Sequence, residues 1–260
     1  MRNEVIIKTT EEIEHIRESG RYLNELLLLL STKAKAGVSL LELEQYAEDY
    51  LVTHHVKWAF KWYNWYPANL CLSVNDCVVH WIPNAYVLKN WDLLKIDCGI
   101  LYKWGISDSA ISLIIWWEMA NPLWHKLIAA TKRSLDKWIL TLWPWKTAYD
   151  FSLTVATSIK NDGFSVIKTL TGHGVGNYVH EKPNIYNYPH PLMHEVILQP
   201  WMVLALEPIT ALTSTDVYMK KGNDWNLYCK QKDIWAQREY MVLITPTGYE
   251  ILSWITDDIF

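Results

Sequence analysis

Five side chains able to bind metal ions or move protons interrupt otherwise apolar stretches of this sequence. Asp97 lies inside the segment LLKIDCGI, and Asp108 follows near the start of the next apolar run. Glu207 ends the segment MVLALE, Glu239 begins EYMVLIT, and His173 lies within the glycine-rich TGHGVG. A buried carboxylate without a partner is costly, and few lysines or arginines flank these acids. The acids therefore need either cationic partners or bound metal ions.

The chemistry of this set favours a pair of divalent metal ions. Four carboxylates and one imidazole suit hard to borderline ions such as Mn²⁺, Fe²⁺ or Co²⁺. Two ions bridged by carboxylates can bind and activate a water molecule between them, as two-metal hydrolases do. For any single acid, an ordinary buried residue with a hydrogen-bond or salt-bridge partner is the more common situation. The prediction of a metal centre therefore depends on all five residues together.

Short motifs along the chain give a more specific pattern. They are FKWYN at 60–64, VVHWIP at 78–83, IDCG at 96–99, GISDS at 105–109, GHGVG at 172–176, HEKP at 180–183, LEP at 206–208 and AQRE at 236–239. With these motifs the sequence resembles the type I methionine aminopeptidases from Thr10 to Ser253. Each motif alone is weak evidence, whereas the whole set in this order is specific.

The resemblance implies a role for each candidate residue. The family positions that match Asp97, Asp108, His173, Glu207 and Glu239 bind two divalent metal ions. The cellular ion is left open among cobalt, manganese, iron, zinc and nickel. The resemblance also places His80 near the amino group of the substrate and His180 at the scissile carbonyl, and it makes Glu207 a proton acceptor as well as a ligand.

The reaction implied by the resemblance is removal of the N-terminal methionine from nascent polypeptides with a small second residue. The metal ions lower the pKa of a bridging water, and Glu207 takes its proton. The resulting hydroxide attacks the first peptide carbonyl, while His180 and the metals stabilise the oxyanion. Because the free α-amine of the substrate binds a metal, cleavage is restricted to the first residue.

A pocket for the methionine side chain is expected to be apolar and closely fitting. By resemblance, Tyr63, Tyr66 and Cys71 line it, and a sulfur atom with aromatic faces suits a thioether. Ordinary core packing explains Tyr63 and Tyr66 equally well, so both interpretations remain open for them. For Cys71 the pocket is the favoured interpretation.

Helix caps and hydrophobic periodicity predict the elements that must position these residues. Thr9 and Glu12 form the pattern of a capping box before a helix to about residue 31, and Ser39 predicts the start of a second helix. Further helices are predicted over 122–140 and 147–161. Strands are predicted within 68–79, over 93–100 and 107–115 as a hairpin, and over 165–170, 202–207 and 239–245.

Each half of the chain thus has helices followed by strands, which predicts an internally duplicated α/β unit. No linker divides the halves, so we expect one continuous catalytic domain over residues 1–260. The resemblance adds the pita-bread fold, an α+β arrangement with a pseudo-two-fold axis. In that fold a central antiparallel sheet carries the helices on its outer face.

Composition limits the setting in which this chain works. A net charge of −4 gives no basic surface for nucleic acid. The apolar run 26–30 is too short to span a bilayer, and the first residues do not form a signal peptide. Four cysteines without a CxxC motif suit a reducing, cytoplasmic setting. The predicted partner is the N-terminal methionine of nascent polypeptides, with neither nucleic acid nor membrane. A monomer is expected by resemblance, and ribosome association is left open.

Three alternative interpretations fit the sequence less well. Proline-specific aminopeptidases of this fold usually carry an extra N-terminal domain, for which the capping box at Thr9 leaves no room. Type II methionine aminopeptidases carry a helical insertion, whereas the interval from His180 to Glu207 is short. A non-catalytic binding module of this fold would lack metal ligands, and all of them are present.

Tryptophan is unusually frequent, with 16 residues against only 10 glycines. Pro144-Trp145 and Pro200-Trp201 place tryptophan where a type II turn needs a positive φ, and Asn64-Trp65 and Asn90-Trp91 resemble Asn-Gly turns. In the family pattern glycine stands at six tryptophan positions, namely Trp62, Trp65, Trp81, Trp91, Trp145 and Trp201. Further candidates of this kind are Trp138, Trp235 and Trp254.

Chance divergence would require at least six turn glycines to change independently to the bulkiest residue. The alternative hypothesis is a genetic code that reads UGA as glycine, so that these tryptophans correspond to glycine in the cell. Trp225 matches a family tryptophan and is expected to be genuine. If all the tryptophans are real, Trp62 and Trp81 are expected to crowd the substrate cleft.

Overall fold

Two pairs of α-helices frame the molecule. The computed structural model describes residues 4–116, 121–219, 225–229 and 233–253. Its α-helices are α1 Thr10–Lys33, α2 Leu40–Thr53, α3 Pro122–Ile139 and α4 Tyr149–Asn161. No helix in these described ranges is long and apolar enough to cross a membrane.

The first two helices begin where the sequence predicted. The Thr9 hydroxyl accepts a hydrogen bond from Glu12 N at 3.3 Å, and the Glu12 carboxylate accepts one from Thr9 N at 2.7 Å. Ser39 and Glu42 form the same reciprocal pair. Such boxes satisfy backbone donors that the first turn of a helix leaves unpaired. Both capping predictions are therefore confirmed.

Fifteen short strands fill the described part of the chain between and after the helices. They are β1 Lys57–Trp58, β2 Leu70–Val74, β3 Cys77–Val79, β4 Leu93–Tyr102, β5 Gly105–Ile114, β6 Ser165–Val166, β7 Thr171–Gly174, β8 Glu181–Tyr186, β9 Val203–Leu206, β10 Ile209–Ala211, β11 Val217–Met219, β12 Leu227–Cys229, β13 Trp235–Gln237, β14 Tyr240–Thr245 and β15 Gly248–Ile251.

Antiparallel pairing joins these strands into two main sheets. In the first, β4 pairs with β5 on one side and with β1 and β2 on the other. The second has the order β15-β14-β9-β7-β8. These two sheets meet where Glu239 N, just before β14, donates to Ala110 O of β5 at 2.9 Å. Gln237 N of β13 donates to the Ser112 hydroxyl of β5 at 2.8 Å. Two three-stranded sheets, β13-β10-β6 and β11-β12-β3, complete the architecture.

Each helix pair covers the sheet of its own half. Leu23 and Leu27 of α1 are fully buried in one apolar cluster with Ile96 of β4. Phe151 of α4 belongs to a second cluster with Val242 of β14. The helices thus pack on the sheets in each half, as the predicted fold requires.

One strand prediction needed correction. The strand predicted over 165–170 ends at Val166, because the following residues turn toward a cavity that Thr169 and Leu170 line. The segment 68–79 forms two strands, as expected, and the structure adds their different partners, since β2 pairs with β4 and β3 pairs with β12. These pairings join residues far apart in sequence, so local periodicity carries no information about them.

The turns that contain tryptophan have the predicted backbone conformation. Trp65, Trp91, Trp145 and Trp201 have φ angles from 69° to 72°, and Trp62 has 73°. A residue with a β-carbon pays about 1 kcal/mol or more in this left-handed region.

Trp81 is an exception to the expectation, because it is absent from the positive-φ residues while its neighbour His80 has φ 62°. Trp116, which the turn patterns did not single out, has φ 58°.

Candidate metal centre and substrate cleft

The β4–β5 hairpin places two of the five candidate residues on one face of a sheet. Asp97 is paired with Ala110, and Asp108 is paired with Gly99. Because side chains alternate along strands, Asp97 and Asp108 are diagonal neighbours on the same face. Gly99, the partner of Asp108, has no room for a side chain, since a β-carbon there would lie 2.7 Å from Ser107 O.

The second sheet supplies the other three candidates. His173 of β7 pairs with Ala205 of β9, so Glu207 lies two residues further along and on the same face. Leu206 pairs with Tyr240, which brings Glu207 and Glu239 to the same end of β9 and β14.

The five side chains converge where the two sheets meet. His173 Nε2 lies 3.4 Å from Glu207 Oε1 and 4.0 Å from Asp108 Oδ2. Single ligand atoms of Asp108, His173 and Glu239 all lie within 4.8 Å of one another. Asp97 lines the same cavity as these residues. The spatial grouping expected from the sequence is therefore present.

The electrostatics of this group favour a bound cation. Burial raises the pKa of Asp97 to about 7, and burial followed by the neighbouring carboxylates raises the pKa of Asp108 and Glu239. Burial, with Asp97 as the next cause, also raises the pKa of Glu207. Carboxyl groups that resist ionisation together become a stable anionic set when divalent ions balance their charge.

Orphaned atoms at the site give a direct test of the fit to metal ions. Asp97 Oδ1 and Asp108 Oδ1 are buried and have no hydrogen-bond partner among the described residues. The ring of His173 is oriented by its Nδ1, which donates to Gly174 O at 3.0 Å and leaves Nε2 facing the acids. Unpaired oxygens and a free imidazole nitrogen are what a metal site requires. The residues present therefore fit divalent ions.

Two further histidines border this group, as the sequence predicted. The ring of His180 lies 4.2 Å from that of His173 and stacks on Tyr63 at 5.3 Å, measured between ring centroids. Burial lowers the pKa of both His80 and His180 to about 4. Both rings are therefore neutral at pH 7 and can each donate one N–H.

An apolar cavity of about 370 Å³ lies above the acids. It includes all three residues expected to form a methionine pocket, Tyr63, Tyr66 and Cys71. Cys71 is the cross-strand partner of Asp97, so the thiol lies next to the candidate metal ligands. Phe60 and Trp225 also line the cavity, and Trp225 meets the edge of Tyr66 at 5.1 Å between ring centroids.

The structure adds residues that the motif analysis did not assign. Gln237 lines the cavity and donates to Glu207 Oε2 at 3.4 Å, and Asn187 donates to Glu207 O at 3.0 Å. Gln237 stands two residues before Glu239 within AQRE, a spacing that could have indicated it. No local sequence signal indicates Asn187, because its hydrogen bond to Glu207 O depends on how the residue after β8 packs against the end of β9.

The expected crowding of the cleft by tryptophan is wrong. Neither Trp62 nor Trp81 is among the residues that line the cavity. The side chain of Trp62 points to solvent, with 61% of the residue exposed. Trp81 instead packs near Tyr86 and Tyr228, at 5.7 Å and 6.4 Å between ring centroids.

Comparison with known proteins now places the chain in a class. Residues 14–246 match the sequence model of metallopeptidase family M24. The chain therefore belongs to this family, which implies divalent metal ions, and it has the pita-bread fold predicted from the sequence.

Within that class the chain is similar to methionine aminopeptidases over nearly its whole length. It is 34% identical to the enzyme of Clostridium perfringens, covering 96% of this chain and 99% of that protein. For the Escherichia coli enzyme the identity is 30%, covering 98% and 96%. The solved methionine aminopeptidase of Thermotoga maritima superposes with a TM-score of 0.91 at 31% identity, covering 96% and 99%.

A prolidase from Pyrococcus horikoshii shares the fold more distantly. Its TM-score is 0.78 at 19% identity, and this chain covers 65% of it. That likeness concerns the fold alone.

Proposed function

We propose that this chain is a methionine aminopeptidase that removes the first residue of polypeptides beginning with methionine and a small second residue. The observation that carries the proposal is the convergence of five candidate ligands beneath an apolar cavity bordered by two neutral histidines. The full-length similarity to methionine aminopeptidases supports the same conclusion.

Asp97, Asp108, His173, Glu207 and Glu239 would hold two divalent ions. Bound there, the ions supply Lewis-acid activation of water and of the scissile carbonyl. Glu207 is the acid closest to the imidazole of His173, and Gln237 orients its other carboxylate oxygen. This carboxylate takes the proton of the attacking water and returns it to the leaving amine.

His180 and His80 bind the reacting end of the substrate. The stacking of Tyr63 on His180 fixes the plane of the imidazole, so that one N–H is directed at the carbonyl oxygen as it gains charge. His80 borders the same cavity, and its ring lies edge-on to Trp225 at 6.4 Å. It contacts the substrate near its amino group.

Tyr66, Cys71, Phe60 and Trp225 surround the methionine side chain. Aromatic faces and a thiol complement a flexible thioether, and burial of its methyl and methylene groups supplies the binding free energy. A charged or branched first residue would leave polar atoms unpaired or clash with the aromatic rings.

The cellular role we propose is initiator-methionine removal from nascent proteins in the cytoplasm. The bacterial relatives support this setting.

The decisive experiment is release of methionine from Met-Ala-Ser by the purified chain supplied with Mn²⁺ or Co²⁺. We expect the Glu207→Gln and His180→Ala variants to lose more than 100-fold in kcat while remaining folded. His194→Ala, a change at an exposed histidine outside the cleft, serves as the matched control. A folded protein that binds two equivalents of metal and releases no methionine would refute the proposal. A folded protein without bound metal would instead favour a non-catalytic binding module.

A further inference from the structure

Six tryptophans share a backbone conformation that ordinary side chains avoid. Their φ angles lie between 58° and 73°. They are Trp62, Trp65, Trp91, Trp116, Trp145 and Trp201. We infer that the protein made in its native cell carries glycine at these six positions, because one codon is read there as glycine rather than as tryptophan.

Backbone hydrogen bonds to distant residues hold two of these turns in place. Trp91 N donates to Ile115 O at 2.7 Å, and Trp201 N donates to Ile244 O at 2.7 Å. Each bond ties a turn to residues far away in sequence. The turn therefore cannot change to an ordinary conformation without breaking a bond to another part of the fold.

The six indole rings lie at the surface, so their packing offsets little of this strain. The exposed fraction of the six residues ranges from 41% at Trp201 to 84% at Trp65. Trp225 behaves differently, since it lines the cleft and contacts Tyr66. Trp225 has the packing role expected of a genuine tryptophan, and the six turn residues do not.

Other described residues with a positive φ are four glycines and five residues of other types, namely His55, Asn64, Asn75, His80 and Lys103. Gly37 and Gly163 have φ of 93° and 83°, and no atom lies within 4 Å of where a β-carbon would stand. These two glycines occupy exposed turns of the same kind as the six tryptophans. A gene that writes glycine with two kinds of codon predicts this mixture, whereas selection for tryptophan does not.

A buried tryptophan points in the same direction. The ring centroid of Trp138 lies 3.6 Å from that of Phe151 at an angle of 51°. Aromatic pairs normally keep their centroids about 4.5 to 7 Å apart. The site is overfilled, which agrees with a smaller residue at position 138 in the native protein. Trp254, the remaining candidate at the C-terminal end, lies outside the described residues.

Mass spectrometry of the protein purified from its source organism tests the inference. We expect tryptic peptides with glycine at all six positions and tryptophan at Trp225. The gene should show one shared codon at the six positions and a different codon at Trp225. Tryptophan in the peptide that contains Trp145 or Trp201 would overturn the inference.

A second cavity adjoins the cleft at His180 and carries a separate inference. Its volume is about 510 Å³, and it shares Tyr63, Asn64 and His180 with the cavity above the candidate metal ligands. Glu4, Ile6 and Tyr178 form its other walls. Since His180 borders both cavities, the second one begins where the scissile carbonyl would lie.

The charge in this second cavity comes from Glu4. The other acid there, Glu181, is buried against the Lys8 ammonium and accepts hydrogen bonds from the backbone of Asn177 and Tyr178. Glu4 is exposed, and no ion pair to it exists within the described residues. Its carboxylate lies among the residues that line this cavity.

The geometry points to a subsite for the polypeptide beyond the scissile bond, with Glu4 favouring a lysine or arginine as the third residue. This inference rests on the proposed methionine aminopeptidase activity. An extended peptide advances about 3.3 Å per residue, so the third side chain passes the cavity wall after leaving His180. The apolar and aromatic walls bind its methylene groups, and Glu4 binds its charge.

Peptides that differ only at the third residue test this subsite. We expect kcat/KM for Met-Ala-Lys-Ser to exceed that for Met-Ala-Glu-Ser by roughly two- to fivefold at low salt, mainly through KM, as for an exposed ion pair. Glu4→Gln should remove the difference and Glu4→Lys should reverse it, whereas Glu195→Gln, at an exposed acid outside both cavities, should preserve it.

The two failures are distinguishable in this assay. Release of methionine at equal rates from all peptides would overturn the subsite and leave the activity standing. Release from none of them would overturn the activity itself.

Discussion

Two regions of this molecule need glycine for opposite physical reasons. Around the metal group, a β-carbon at Gly172 would lie 2.5 Å from Ala205 O, and one at Gly174 would lie 2.4 Å from Lys182 O. Neither glycine has a positive φ. In the surface turns at Trp145 and Trp201, the side chain has room but φ is 71° and 72°.

Glycine is needed near the candidate metal ligands because space is short, and in the surface turns because the φ angle is positive. Crowding at Gly172 and Gly174 transmits a substitution to β8 and β9, which hold the strand that carries His173. In a left-handed turn, by contrast, the strain energy of a substituted residue stays within the turn and does not displace neighbouring strands. Six such turns at about 1 kcal/mol each would still consume a large part of the stability of a typical domain, which is roughly 5–15 kcal/mol.

The largest loss of stability and metal binding from one substitution near the candidate ligands is expected from filling the crowded region. Gly174→Ala should separate β7 from β8 and displace His173, with a loss of about 3 kcal/mol in the free energy of unfolding and loss of bound metal. Urea denaturation and metal analysis measure both. Gly37→Ala is the matched control, since it is strained in φ but uncrowded. Equal losses for the two variants would show that the distinction between space and dihedral angle is wrong.

Relief of strain should be smaller than this at each surface turn, about 1 kcal/mol, but should add across the six turns. Glycine at all six left-handed tryptophan positions should raise the free energy of unfolding by about 6 kcal/mol, because separate sites add. Urea denaturation of both synthetic proteins provides the measurement. No gain in stability would mean that the turns accommodate tryptophan without strain.

The pH should affect stability mainly through the buried residues of the candidate metal centre. Because folding raises the pKa of Asp97 to about 7, stability from its neutral form is lost as pH rises through that value. Asp108, Glu207 and Glu239 also have raised pKa values and act in the same direction. The pKa values of His80, His173 and His180 are lowered by burial, so these histidines act in the opposite direction below about pH 6.5. Because the four carboxyl groups outweigh the three histidines, the metal-free protein should unfold at a higher temperature at pH 5.5 than at pH 8. Added Mn²⁺ should reverse this order by binding the ionised carboxylates. A melting temperature of the metal-free protein that increases from pH 5.5 to pH 8 contradicts the prediction.

A substitution at one surface turn should change the free energy of unfolding least. The sign of a tryptophan-to-glycine change should depend on the position of the tryptophan. Trp145→Gly should stabilise the protein by about 1 kcal/mol, and Trp145→Asn should retain much of that gain because asparagine tolerates φ near 70°. Trp225→Gly removes a ring from the cleft and should destabilise by about 3 kcal/mol. Thermal unfolding of the three variants decides the matter, and the same sign for positions 145 and 225 would contradict it.

Much of the fold could be predicted because its signals are local. The capping boxes at Thr9 and Ser39 and the hairpin of β4 and β5 depend on neighbouring residues, and the structure confirms them. The left-handed turns were predictable for the same reason, since proline or asparagine precedes four of the tryptophans. The early end of β6 at Val166 was not predictable, because it depends on a cavity made by distant strands.

The sequence by itself determined which side chains are the candidates for the chemistry and the order in which they occur, since motif and residue type are local properties. Only the tertiary structure decided that β5 and β14 meet, that Asn187 and Gln237 support Glu207, and that His80 adopts φ 62°. The physical reason is that these features arise from strand pairing and packing between segments far apart in the chain, whose contacts no single stretch of sequence encodes.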